Sequence, residues 1–76
     1  MSVRLSAGAR KLAIARIMEA RFMLSAFEQI RDGHGAHWDS PGNSNAREVY
    51  RRAVQARERL VEASDAQLCA ELAELR

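Results

Sequence analysis

Residues 5–30 read LSAGARKLAIARIMEARFMLSAFEQI, and the way that stretch distributes its apolar side chains decides the fold. The large ones are Leu5, Leu12, Ile14, Ile17, Met18, Phe22, Met23, Leu24, Phe27 and Ile30. At about 100° per residue they do not gather into one helical stripe. Leu5, Leu12, Ile17, Met23, Leu24 and Phe27 fall on one broad face, and Ile14, Met18 and Phe22 on another, with Ala15 and Ala26 between. A helix packed against one neighbour hides one face. The second therefore calls for another surface, and the expectation is an all-α chain that associates with itself.

Working outward, Ser2 or Ser6 can cap the start of this helix. Arg31 suits its C-terminal dipole, and Gly33 can take the left-handed stop position. The segment 33–44 holds three of the four glycines, both histidines, the only tryptophan and the only proline. It reads as a loop in which Pro41 presets a turn. Asn45 followed by Glu48 has the spacing of a capping box. Beyond it Val54, Val61, Leu68 and Leu75 recur every seven residues, with Val49, Ala53, Ala56, Leu60 and Ala63 alongside. Ser64 and Gln67 could form another capping box and split off a short third helix. The seven-residue series runs through that point without changing phase, so one continuous helix is expected. The resulting architecture is a single helical-hairpin domain over 1–76, with helices at about 6–32 and 46–75 joined by the 33–44 loop, pairing into an antiparallel dimeric four-helix bundle. Ile14, Ile17, Met18, Phe22, Val54 and Val61 are the expected self-association residues.

Composition narrows the function classes. Seventy-six residues allow one small domain with a modest core, and a single cysteine, Cys69, excludes an intramolecular disulfide. That lone cysteine and the lack of a recognisable secretory signal favour a cytoplasmic protein. No apolar run approaches the length of a membrane span. The formal charge of +2 is unevenly spread: residues 1–21 carry five bases and one acid, and residues 58–76 five acids and two bases. An antiparallel hairpin sets the basic start beside the acidic end, which compensates the imbalance internally. The basic start reads as an ordinary helix rather than a transit peptide.

Several groups of residues could carry chemistry. His34, His37 and Asp39 offer three donors to a borderline metal, but on flexible-loop spacing and without a fourth ligand, so no metal or other cofactor is expected. Trp38 and His37, beside a rigid turn, suit a partner-binding anchor, with Met18 and Phe22 added if their face stays open. Arg47, Arg51, Arg52 and Arg59 could meet phosphates, although Glu48, Glu58 and Glu62 are interleaved at pairing distance. Arg57 falls near the apolar seam, where a glutamate of the other helix would explain it. Arg16 and Glu19 interrupt the broad face of helix one, either as registry devices or by reaching water along their stems. No nucleophile–base pattern or phosphate-binding loop supports an enzyme. The expected function is a small non-enzymatic protein-interaction module, a homodimeric inhibitor, adaptor or regulator that binds another protein. The alternative is a dimeric RNA- or DNA-binding regulator that uses the arginine face of helix two.

Overall fold

The computed structural model describes residues 3–75, so the Ser2 cap lies outside the described residues. All regular structure among them is helical: α1 spans Ala7–Phe22, α2 Leu24–His34, α3 Ser44–Glu62 and α4 Asp65–Ala73. Two short 3-10 turns, Gly35–Asp39 and Pro41–Asn43, join α2 to α3.

Each of the two expected helices is broken once. Ser6 Oγ accepts the Ala9 N–H at 3.1 Å and opens α1, as an N-cap should. The first break is at Met23, whose backbone sits in the left-handed region at φ 50° and ψ 47°. No side chain of Met23 caps the helix that follows. Instead, the Glu19 carboxylate accepts the Ser25 N–H at 2.9 Å and the Ser25 hydroxyl at 2.7 Å. Glu19 therefore caps α2 from the last turn of α1. Hydrogen bonding from the Ser25 hydroxyl, then from its N–H, holds the Glu19 carboxyl below its ordinary pKa.

The second break corrects the expectation of one continuous helix after the loop. Ala63 and Ser64 are extended, with ψ of 152° and 159°. Ser64 Oγ accepts the Gln67 N–H at 3.1 Å, so the weaker of the two sequence signals prevails. Two further boundaries shift. Gly35, at φ 52°, occupies the positive-φ stop while Gly33 stays helical. α3 begins at Ser44 rather than at an Asn45 capping box, because Glu48 turns away to bind Arg51 and Arg52.

α3 returns antiparallel to α1 and α2, and α4 then reverses to run beside α1. Its start lies at the beginning of α1, where Asp65 meets Leu5 and Arg10, and its end meets Arg21 through Glu74 at 3.2 Å. α1 is thus the central helix, packed against α3 and α4. The core is Ala13, Ile17 and Met18 from α1, Ala53, Ala56 and Leu60 from α3, and Leu68 from α4. Ile14, Phe22, Leu24, Leu72 and Leu75 pack around it.

This arrangement also corrects the division of faces on helix one. Leu12 and Met23 point outward, each 62% exposed, and Ile17 lies inside with Met18 rather than opposite it. A constant helical phase cannot be carried through the Met23 corner. Met18 wholly, and Ile14 and Phe22 in part, are covered within the chain, because the break at Ser64 supplies a third helix. Nothing shows the expected pairing of hairpins through Ile14, Ile17 and Met18: Ile17 and Met18 are already buried in a single copy.

Candidate interaction surface

The α1/α3/α4 body is closed at its corner by Arg10. Its guanidinium donates to Asp65 and, beyond it, to the carbonyls of Val61 at 3.1 Å and Ala63 at 2.7 Å. Those carbonyls belong to the last turn of α3 and the residue after it, where helical partners run out. Asp65 also accepts the Leu5 N–H at 2.9 Å. That bond, followed by the one from Arg10, holds the Asp65 carboxyl below its ordinary value of 3.8. One carboxylate and one guanidinium thereby tie together the ends of α1, α3 and α4.

At the far end the molecule thins to an arm of two helices, α2 against the first half of α3. No residue of α2 is buried. The loop closing the arm is held from within. Arg47 donates to the carbonyls of Trp38 and Ser40, both at 2.7 Å, and Asn43 Nδ2 donates to the His37 carbonyl at 2.8 Å. Trp38 stands edge-on to Tyr50, with ring centroids 6.1 Å apart at 86°. Arg31 lies over the Tyr50 ring at 5.0 Å and donates to its hydroxyl.

The residues singled out in the sequence are therefore scattered. Trp38 is half-buried against Tyr50, while His37 is exposed beside it. Met18 is fully buried and offers a partner nothing, a correction to its place among the contact residues. Phe22 is half-buried in a narrow cleft of about 200 Å³ between α3 and α4, floored also by Ile17, Ala56 and Leu60. Ile14 and Val54 are half-buried, and Val61 is exposed. His34, His37 and Asp39 are not gathered as metal ligands: no three histidine, cysteine or acidic side chains converge among the described residues.

The arginine face is occupied by protein acceptors. Arg47 holds the loop, and Arg51 and Arg52 share Glu48 at 2.7 and 3.1 Å. Hydrogen bonding from Arg51 keeps the Glu48 carboxyl below its ordinary pKa. Arg59 and Arg57 make no ion pair among the described residues, so the seam partner expected for Arg57 is not seen.

What the sequence reading missed is the arm's uncovered apolar side. Val49, Ala53, Ala56 and Leu60 form one row along α3. The last three are buried by the body, whereas Val49, beyond its edge, is 38% exposed. On the first strut of the arm Met23, Phe27 and Ile30 recur at i, i+4 and i+7, with Ile30 41% exposed. The spacing of both rows was visible in the sequence. Their exposure was not, because it depends on where α4 stops.

The chain as a whole is more extended than a compact monomer. A compact monomer of 8.5 kDa exposes roughly 4,650 Å² by the surface–mass scaling of folded proteins, and this chain exposes 5608 Å², about 950 Å² more. Its extents are 50 × 20 × 20 Å, and its radius of gyration of 14.6 Å compares with about 11.4 Å for a compact domain of this length. No helix is long and apolar enough to cross a membrane among the described residues. Set against known proteins, the chain matches no family model, and neither a curated protein nor a solved structure is significantly similar to it.

Proposed function

We propose that this chain is a small non-enzymatic interaction module that regulates or adapts another polypeptide by binding it through the uncovered side of the α2–α3 arm. One observation carries the reading: Met23 and Ile30 at α2 and Val49 on α3 are large apolar side chains left exposed, with Phe27 between the first two only half-buried. Contiguous apolar rows left open at the edge of a core mark contact surfaces. Trp38 and His37 stand at the tip of the same arm, where they can border the contact. The arginines do not favour a nucleic-acid role to the same degree. A phosphate would have to displace Glu48 from Arg51 and Arg52, and two loop carbonyls from Arg47.

A photo-cross-linking residue placed at Ile30 or at Val49, in the cells that make the protein, tests the proposal. Both positions are expected to give a discrete protein adduct, and Gln55, exposed on another side of α3, is expected to give none. Absence of any adduct from Ile30 and Val49 would overturn it.

A further inference from the structure

We infer that two copies of this chain can exchange α4, by straightening the Ala63–Ser64 corner into one continuous α3–α4 helix. The surface that receives the exchanged helix is the one α4 already covers in a single copy. The corner itself supplies the first argument. Its bonds are made to groups that a continuous helix would pair with one another. Arg10 donates to the carbonyls of Val61 and Ala63, and the Ser64 hydroxyl accepts the Gln67 N–H. In an unbroken helix the Val61 carbonyl accepts from Asp65 N–H and the Ala63 carbonyl from Gln67 N–H, four residues on. Straightening therefore replaces hydrogen bonds rather than discarding them. Residues 61–66 read VEASDA, with neither glycine nor proline to bar a helix. The series Val54, Val61, Leu68 and Leu75 also keeps its phase across the corner, so one sequence pattern serves both forms.

Direction is the second argument. α3 runs antiparallel to α1 and ends beside the start of α1, where α4 begins and runs back parallel to it. A straightened α4 leaves its own body past the start of α1. A second copy related by a two-fold axis across that end presents the start of its own α1 first. The incoming α4 then enters parallel to that α1, with Asp65 at Leu5 and Arg10 of the other copy and Leu68 in its Ile17 and Met18 cluster. Every contact α4 makes with α1 is reproduced between copies. Only the corner differs, and there exchange has something to gain. Val61 is 60% exposed in the closed chain, and straightening sets it on the same helical face as Leu68, beside the two-fold axis.

In dilute solution closure within one chain wins, because its own α4 is tethered beside the site. Crowded refolding favours the exchanged pair. The exchange takes place at the end of the molecule opposite the α2–α3 arm. Both arms stay open, at the two ends of a particle about twice the 50 Å length of one copy. The inference thus neither uses nor obstructs the surface assigned to another polypeptide.

The test is to refold the purified chain from urea at about 1 mM and to size it after dilution to about 10 μM. A species of 17 kDa, twice the 8.5 kDa of one chain, is expected to persist beside the single chain, because its return requires α4 to leave the core. With isotopically labelled and unlabelled copies mixed before refolding, the Ile17–Leu68 methyl contact is expected between copies in that species and within one copy in the single chain. Position 64 gives an independent readout. Ser64→Ala and Ser64→Pro both remove the hydroxyl that holds the Gln67 N–H, so a role confined to capping would move them together. Alanine favours the continuous helix and is expected to raise the exchanged fraction at least about threefold. Proline fits the corner, where Ser64 has φ −70° and follows an extended Ala63, but it forbids the straight helix. It is expected to lower the fraction at least about tenfold. If Ser64→Pro does not fold, the unaltered chain and Ser64→Ala decide. Exchange is overturned by the absence of a 17 kDa species from both, by one whose Ile17–Leu68 contact stays within a copy, or by equal fractions from the two variants. Cross-linking at Ile30 and Val49 reads a different surface, so either proposal can fail without the other.

Discussion

At Met23 the chain adopts a left-handed backbone with a side chain that is largely exposed. An unbranched L-residue there carries a steric cost of about 1–2 kcal/mol that glycine does not. Because little packing is lost with the exposed thioether, Met23→Gly is expected to raise stability by about 0.5–1 kcal/mol in urea unfolding, and Met23→Val to lower it. No glycine, proline or short polar cap marked this corner in the sequence; its cap is Glu19, whose use depends on the turn already being made. Ser6 and Ser64, by contrast, work through their own hydroxyls and were readable as caps. Asp65 shows the same contrast in a charged group. Nothing in the sequence distinguished it, and its partners Leu5 and Arg10 are brought to it from the opposite end of the chain. Its folded pKa lies below the unfolded value, so its contribution is present above about pH 4 and is lost as pH falls through the folded value. The Tm of Asp65→Asn is therefore expected below that of the unaltered protein at neutral pH, with the gap narrowing in acid. A gap independent of pH would mean that the carboxylate is not tied to Leu5 and Arg10.

Among the elements, α4 decides what the others expose. The seven-residue series Val54, Val61, Leu68 and Leu75 suggested one rod, yet the structure places Val61 in water and Leu68 at the centre of the core. Regular spacing constrains which positions are apolar and does not require the backbone between them to be continuous. Two helices joined by the extended Ala63 and Ser64 satisfy the same spacing, and the second can then turn back over α1. Leu68→Ala is accordingly expected to cost about 2–5 kcal/mol, whereas Val61→Ala, in the same series, should stay within about 0.5 kcal/mol. Ser64→Ala should remove about 1 kcal/mol by leaving the Gln67 N–H without its partner. Equal losses at positions 61 and 68 in chemical denaturation would restore the continuous helix. The helical class, the approximate loop position and the antiparallel return were all legible from periodicity and turn residues. The two breaks divide what was legible from what was not, since each is fixed by hydrogen bonds whose worth depends on tertiary packing.

As a whole molecule the chain is a three-helix body continued by a two-helix arm. Helix one carries more apolar surface than a single neighbour can hide. That imbalance is real, and α4 resolves it within the body without reaching the arm. On the arm α2 buries no residue, and Val49 emerges from the row that is buried further along α3. The most direct check is a methyl NOE experiment on a mixture of isotopically labelled and unlabelled copies, which separates contacts within a chain from contacts between chains. Ile17 and Leu68 are expected to be linked within one copy, and the two would be contradicted as core partners if their NOE arose only between copies or were missing from folded protein.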